Sequence, residues 1–100
     1  MKNNLKISII TVTKNSEKYL EENIKSLTNQ TFTNFEHIII DGKSTDDTIA
    51  IIKKNSDKID KWISEPDQGL YYAMNKGINI STGEIIGILN SDDIYFPNAL

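Results

Sequence analysis

One hundred residues, 38% of them hydrophobic and 25% charged, describe a single soluble unit with a thin core and exclude disorder, collagen and a disulfide scaffold. With no cysteine, thiolate metal sites and thiol nucleophiles are excluded as well. The net charge of −3 and the eleven scattered lysines, with no arginine, give no nucleic-acid footprint, and no apolar run is long enough for a membrane span or a signal peptide.

Residues 6–13, KISIITVT, are a β-branched run too short for a free-standing helix and closed by the loop formers Lys14, Asn15 and Ser16, which predicts a buried strand. Leu20, Ile24 and Leu27 follow at i, i+4 and i+7, with Ser16 as expected N-cap and Glu17 in the first turn, so an amphipathic helix comes next. Residues 35–40 are a second apolar strand that stops at Asp41-Gly42, where glycine permits a turn. Ser44, Thr45 or Asp46 then caps a helix with Ile49 and Ile52 on its apolar face. The segment 60–64, DKWIS, is short and more polar, as expected near a sheet edge. Glu65-Pro66-Asp67-Gln68-Gly69 cannot be helical throughout and leads into a helix over about 70–80, with Leu70, Met74, Gly77 and Ile78 on one side and Ser81-Thr82-Gly83 as its stop. Residues 84–89 are the fourth strand, Asn90-Ser91-Asp92-Asp93 lie past its carboxyl end, and Pro97 opens or precedes another helix.

Regular alternation of strand and helix predicts right-handed βαβ crossovers, a mainly parallel sheet and helices on both faces. Open sheets of this kind bind ligands outside the carboxyl ends of their strands, which narrows the functional question to the loops 13–16, 41–47 and 90–93. Their carboxylates, Asp41, Asp46, Asp47, Asp92 and Asp93, are hard oxygen donors suited to Mg²⁺ or Mn²⁺, and Mg²⁺ needs only one or two of them beside water and phosphate oxygens. Asp46 and Asp47 read as helix-capping residues. The first strand is followed by neither G-x-G-x-x-G nor G-x-x-x-x-G-K-[ST], which weakens dehydrogenase, P-loop and nucleotidyltransferase readings. A response-regulator receiver would need acidic residues where Thr13, Lys14 and Asn15 stand. Met74 reads as a packing residue, Trp62 and His37 as structural or surface residues, and the sequons at Asn29 and Asn79 as chance.

Five segments in order, SIITVTKN (8–15), NQTF (29–32), IIIDGKSTDDT (38–48), SEPDQGLYYAMNKGI (64–78) and GEIIGILNSDD (83–93), resemble the amino-terminal half of a family 2 glycosyltransferase with the GT-A, Rossmann-like fold. The resemblance implies that residues 1–100 are one domain, the nucleotide-sugar-binding part of a longer and inverting transferase; cytoplasm is the default location for a chain without cysteine or secretion signal, and polysaccharide assembly at the inner face of a membrane is an expectation for the parent alone. It implies that Val12, Thr13 and Lys14 lie along the nucleoside and that Asp41 accepts a hydrogen bond from the base, which suits the imide of uracil or thymine in a UDP- or dTDP-sugar. It implies further that Asp92, last residue of the D-x-D motif, holds Mg²⁺ or Mn²⁺, and that Asn75, Asn90 and Ser91 line the nucleotide. The general base and the site for a carbohydrate or lipid-linked acceptor are expected after Leu100, so the segment alone should transfer nothing. Three positions depart from the family pattern: Asn90 replaces the first aspartate of D-x-D, Lys14 a tyrosine against the base, and Tyr72 the aspartate of Y-D-A-M-N-K-G. Asn90 and Lys14 favour the alternative, a noncatalytic nucleotide-binding or assembly module on the same half-fold.

Overall fold

Strands and helices alternate along the residues that the computed structural model describes, 6–29, 34–66 and 69–90. In order they are β1 (Ile7–Thr13), α1 (Leu20–Thr28), β2 (Phe35–Asp41), α2 (Thr48–Lys54), a 3-10 turn (Ser56–Lys58), β3 (Lys61–Ser64), α3 (Leu70–Ile80) and β4 (Ile85–Asn90). The sheet order is β3-β2-β1-β4, and β1–β2, β2–β3 and β1–β4 all pair in parallel. The chain therefore winds outward from β1 to the edge strand β3, then returns past β1 to place β4 on its other side. A right-handed crossover that reverses direction must put its helix on the opposite face of the sheet, and α3 packs accordingly. None of the described helices is long and apolar enough to cross a membrane.

Strand parity assigns the two cores. On one face Ile9, Ile39, Ile7 and Phe35 meet Leu20, Ile24 and Leu27 of α1 and Ile52 of α2, with Ile59 and Trp62 closing the layer. On the other Ile10, Ile38 and Ile40, with Val12 and Ile63 beside them, meet Ala73 and Ile80 of α3. Each of these fully buried isoleucines and leucines contributes roughly 1.5–3 kcal/mol relative to an exposed side chain.

Several local expectations change. Ser16 is not the N-cap of α1: its carbonyl accepts from the Tyr19 and Leu20 N–H groups at 3.0 Å and forms a turn, so the helix starts at Leu20 with Tyr19 as N-cap. At α2 the N-cap position belongs to Asp47, whose side chain makes no capping bond, whereas the Asp46 carboxylate accepts from the Thr48 N–H at 2.9 Å and from the Thr48 hydroxyl. Ile78 of α3 is 43% exposed and not on the packed side. Gly69 has φ 123°, and a Cβ placed there would have open space around it. That glycine is required by backbone conformation and not by a close approach.

Candidate functional site

The carboxyl ends of β1 and β2 lie side by side, with Thr13 paired to Asp41, and the loops that follow them are interlocked. The Gly42 N–H donates to the Thr13 carbonyl at 2.9 Å, the Ser16 N–H to the Thr48 hydroxyl at 2.7 Å, and the Glu17 N–H to the Asp46 carboxylate at 3.3 Å. Asn15 adds two more links: its N–H donates to Ser44 Oγ at 2.7 Å, and its Oδ1 accepts from the Thr45 N–H at 2.8 Å and the Asp46 N–H at 3.3 Å. Asn15 and Lys43 are the non-glycine residues with left-handed backbones among the described residues, at φ 52° and 60°, one in each loop. Asparagine tolerates that conformation better than most side chains.

Asp41 is fully buried. Its Oδ2 accepts from the Ser44 N–H at 2.9 Å and the Ser64 hydroxyl at 2.8 Å, and its Oδ1 accepts from the Ser44 hydroxyl at 2.6 Å. A carboxylate offers about four acceptor sites, so three are taken. Two of those three partners are rotatable hydroxyls, which can turn aside in exchange for an incoming N–H. Beside it Thr13 is buried, and its hydroxyl has no hydrogen-bond partner among the described residues. Val12 is half-buried and packs with the α3-side core, while Lys14 is exposed at the rim.

The other expected site residues are spread more widely. Asn75 is exposed in the second turn of α3, and its neighbour Lys76 holds the loop before that helix, meeting the Glu65 carboxylate at 2.9 Å and the Pro66 carbonyl at 3.3 Å. Asn90 is the last residue of β4, opposite Val12. Ser91 and Asp92 lie outside the described residues, as do Asp93 and Pro97. Among the described residues no three His, Cys, Asp or Glu side chains gather closely enough to hold a metal ion. Burial pushes the Asp46 pKa up, but hydrogen bonds from the Thr48 hydroxyl and N–H and from the Glu17 N–H outweigh it, so the group stays below the ordinary carboxylate range. Asn15 and Ser44 were not singled out as site residues by the sequence, where Asn15 reads as a loop former and Ser44 as one of three candidate caps for the second helix. The available signal was an asparagine two residues past the end of a strand and a serine three residues after Asp41, two places where a side chain commonly satisfies loop backbone.

The opposite end of the sheet carries a second polar cluster of a different kind. Glu36, buried at 3% exposure, accepts from the Ser8 hydroxyl and the Thr82 N–H at 2.6 Å each and lies 3.3 Å from the Lys61 ammonium. Burial raises its pKa, yet the Ser8 hydroxyl, the Thr82 N–H and hydroxyl and Lys61 together bring it down to about 2. Its partners tie β1, β3 and the segment before β4 to β2, away from the strand ends where such sheets bind ligands.

Residues 8–100 match the family described as Glycosyl transferase family 2. An uncharacterized glycosyltransferase of Mycobacterium tuberculosis is 39% identical over 90 residues, which cover 89% of this chain and 34% of that protein. Chondroitin synthase of Escherichia coli is 35% identical over 97 residues, covering 94% of this chain and 14% of that protein. Among solved structures, S. aureus TarS 1-349 in complex with UDP-GlcNAc superimposes with a TM-score of 0.84 at 32% identity, covering 92% of this chain and 28% of that one. The chain thus spans about a third or less of the length of these relatives. A family match over nearly every residue, joined to a parallel sheet wound outward from β1 in both directions, gives the chain the GT-A fold and makes it a member of glycosyl transferase family 2.

Proposed function

We propose that this chain is the nucleotide-sugar-binding part of an inverting glycosyltransferase and takes a UDP- or dTDP-sugar at the carboxyl rim of β1, β2 and β4. The observation that carries the reading is the interlocking of the loops after β1 and β2 around the Asp41 carboxylate, at the end of a doubly wound sheet where such folds bind ligands. The UDP-GlcNAc bound by TarS supports the same choice of ligand class. In this reading Asp41 exchanges one serine hydroxyl for the imide N–H of a pyrimidine, Val12, Thr13 and Lys14 flank the nucleoside, and Asn75, Asn90 and Ser91 complete the contacts.

Asp92 is the proposed ligand of a divalent cation, Mg²⁺ or Mn²⁺. One aspartate with diphosphate oxygens and water is a normal Mg²⁺ set, so no cluster of three carboxylates is needed. When bound, the cation offsets the charge that grows on the departing diphosphate. The general base and the acceptor site belong to sequence after residue 100, and the acceptor is a carbohydrate or lipid-linked hydroxyl. Asn90 at the first D-x-D position favours a second reading, a noncatalytic nucleotide-binding or assembly module.

One titration separates these readings. UDP, dTDP and GDP are added to the chain with and without Mn²⁺, and to its Asp92→Ala variant. Binding that prefers UDP or dTDP, is strengthened by the ion and is no longer strengthened by it in Asp92→Ala supports the transferase; no binding of any nucleotide supports the scaffold. In the longer parent enzyme Asp92→Ala should lower the transfer rate by on the order of 10²- to 10³-fold.

A further inference from the structure

The bond that shapes the rim runs through a residue outside the expected nucleotide contacts. The Asn15 N–H donates to Ser44 Oγ at 2.7 Å, and the same hydroxyl donates to Asp41 Oδ1 at 2.6 Å. This fixes the direction of the chain: the Ser44 oxygen is occupied as an acceptor by Asn15, so its proton is aimed at the carboxylate. The Asn15 side chain meanwhile holds the far part of the same loop, its Oδ1 accepting from the Thr45 and Asp46 N–H groups and, at 3.4 Å, from the Thr45 hydroxyl. Without that oxygen three donors of the 44–46 segment lose their partner, and Lys43 at φ 60° loses the clamp that keeps it in a strained backbone region.

We propose that Asn15 is a positioning residue for base recognition: its side-chain oxygen holds the 42–46 loop, and with it the Ser44 that meets the Asp41 carboxylate, in the arrangement that takes the nucleotide base. The inference rests on the nucleotide-binding reading above and deepens it by naming the device that sets base contact. Asn15 itself touches no reacting atom. Its effect should fall on the base-dependent part of binding and leave the diphosphate-dependent part alone, because the loop it clamps belongs to β2 and not to the 90–93 segment.

The test uses the 100-residue chain with Mg²⁺ and two probes, UDP and inorganic pyrophosphate, followed by amide chemical shifts that also report whether each variant is folded. Asn15→Gly keeps the left-handed backbone but removes the accepting oxygen; Asn15→Asp keeps both. In Asn15→Gly the affinity for UDP should drop about tenfold, as when roughly a tenth of the chains keep the loop in its binding arrangement, while that for pyrophosphate is unchanged. Asn15→Asp should retain UDP binding. Equal UDP affinity in Asn15→Gly and the unaltered chain, or parallel loss of both probes in a folded Asn15→Gly, overturns the positioning role while leaving the nucleotide site in place. An unaltered chain that binds pyrophosphate and UDP alike, or neither, removes the nucleotide reading itself and the proposal with it.

Discussion

His37 lies in the layer under α1, 1% exposed, with its Nε2 2.8 Å from the Thr11 hydroxyl and its Nδ1 without a hydrogen-bond partner among the described residues. A buried orphan acceptor costs less than a buried orphan donor, so the proton belongs on Nε2, donated to Thr11, and Nδ1 is left as the bare acceptor. Burial disfavours the charged ring and pulls its pKa from 6.5 to about 4. The unfolded chain therefore takes up the proton first. The stability from a neutral His37 is complete above pH 6.5 and is lost as pH falls from there towards 4, by roughly 3 kcal/mol in all. Thermal melts of the unaltered chain should show a midpoint that begins to fall just below pH 6.5, whereas His37→Gln should hold a flat midpoint until the carboxylates titrate. Identical pH profiles for the two proteins would mean the ring is hydrated or paired in solution. The sequence supported a structural role for this lone histidine but hid its partner. Thr11 is two positions further along the neighbouring strand than Ile9, the residue that faces His37, and only the β1–β2 register brings the two side chains together.

At the level of elements, α3 sits on β1 through Gly77. A Cβ at that position would stand 2.6 Å from Ile10 Cγ2, and this methyl is attached to the branched Cβ of a stiff side chain in the middle of a strand, so it has little room to yield. Gly77→Ala gains about 1 kcal/mol of helix propensity but costs roughly 1–3 kcal/mol in overpacking, and the second effect should win. The expected result is a midpoint of denaturation lowered by several degrees, read from circular dichroism at 222 nm; an unchanged or raised midpoint would show that α3 lifts off the sheet without cost. Element type and order were legible because each strand is an apolar run bounded by loop formers and each helix carries its stripe: Leu20, Ile24 and Leu27 are all buried as their spacing requires. Helix starts were not. Ser16 and Asp46 look like caps in sequence; the Ser16 carbonyl instead closes a turn that moves the start of α1 to Leu20, while the Asp46 carboxylate both accepts from the Thr48 N–H at the start of α2 and reaches across to the Glu17 N–H of the other loop.

In the whole molecule the two ends of one sheet each hold a buried carboxylate, with different partners. Glu36 at the amino end joins β1 through Ser8, β3 through Lys61 and the segment before β4 through Thr82, while Asp41 stands five residues along the same strand at the other end. At about 3.3 Å per residue the two carboxylates are separated by roughly 16 Å, which is twice the ~8 Å Debye length at physiological salt and beyond the ~10 Å at which substitutions usually couple. Stability and ligand binding should therefore be separable by substitution. Glu36→Gln keeps the shape but loses the charge that Lys61 and the three donors from Ser8 and Thr82 meet. Both lysines near it, Lys6 and Lys61, are more than a third exposed and stay hydrated when unpaired, so the loss is that of charged hydrogen bonds, about 1–3 kcal/mol, and not of a stranded buried ion. Because the folded pKa of Glu36, about 2, lies below its ordinary value of 4.5, its contribution is full above pH 4.5 and vanishes as pH falls to 2; the deficit of the variant should shrink over that interval. Measured well below its own melting temperature at neutral pH, Glu36→Gln should bind UDP as the unaltered chain does, whereas Asn15→Gly should show the reverse balance, a small change in melting point with a large one in UDP affinity. Should Glu36→Gln weaken UDP binding as much as Asn15→Gly, the two ends would be coupled through β2, and the rim could not be treated as a site mounted on an independent scaffold.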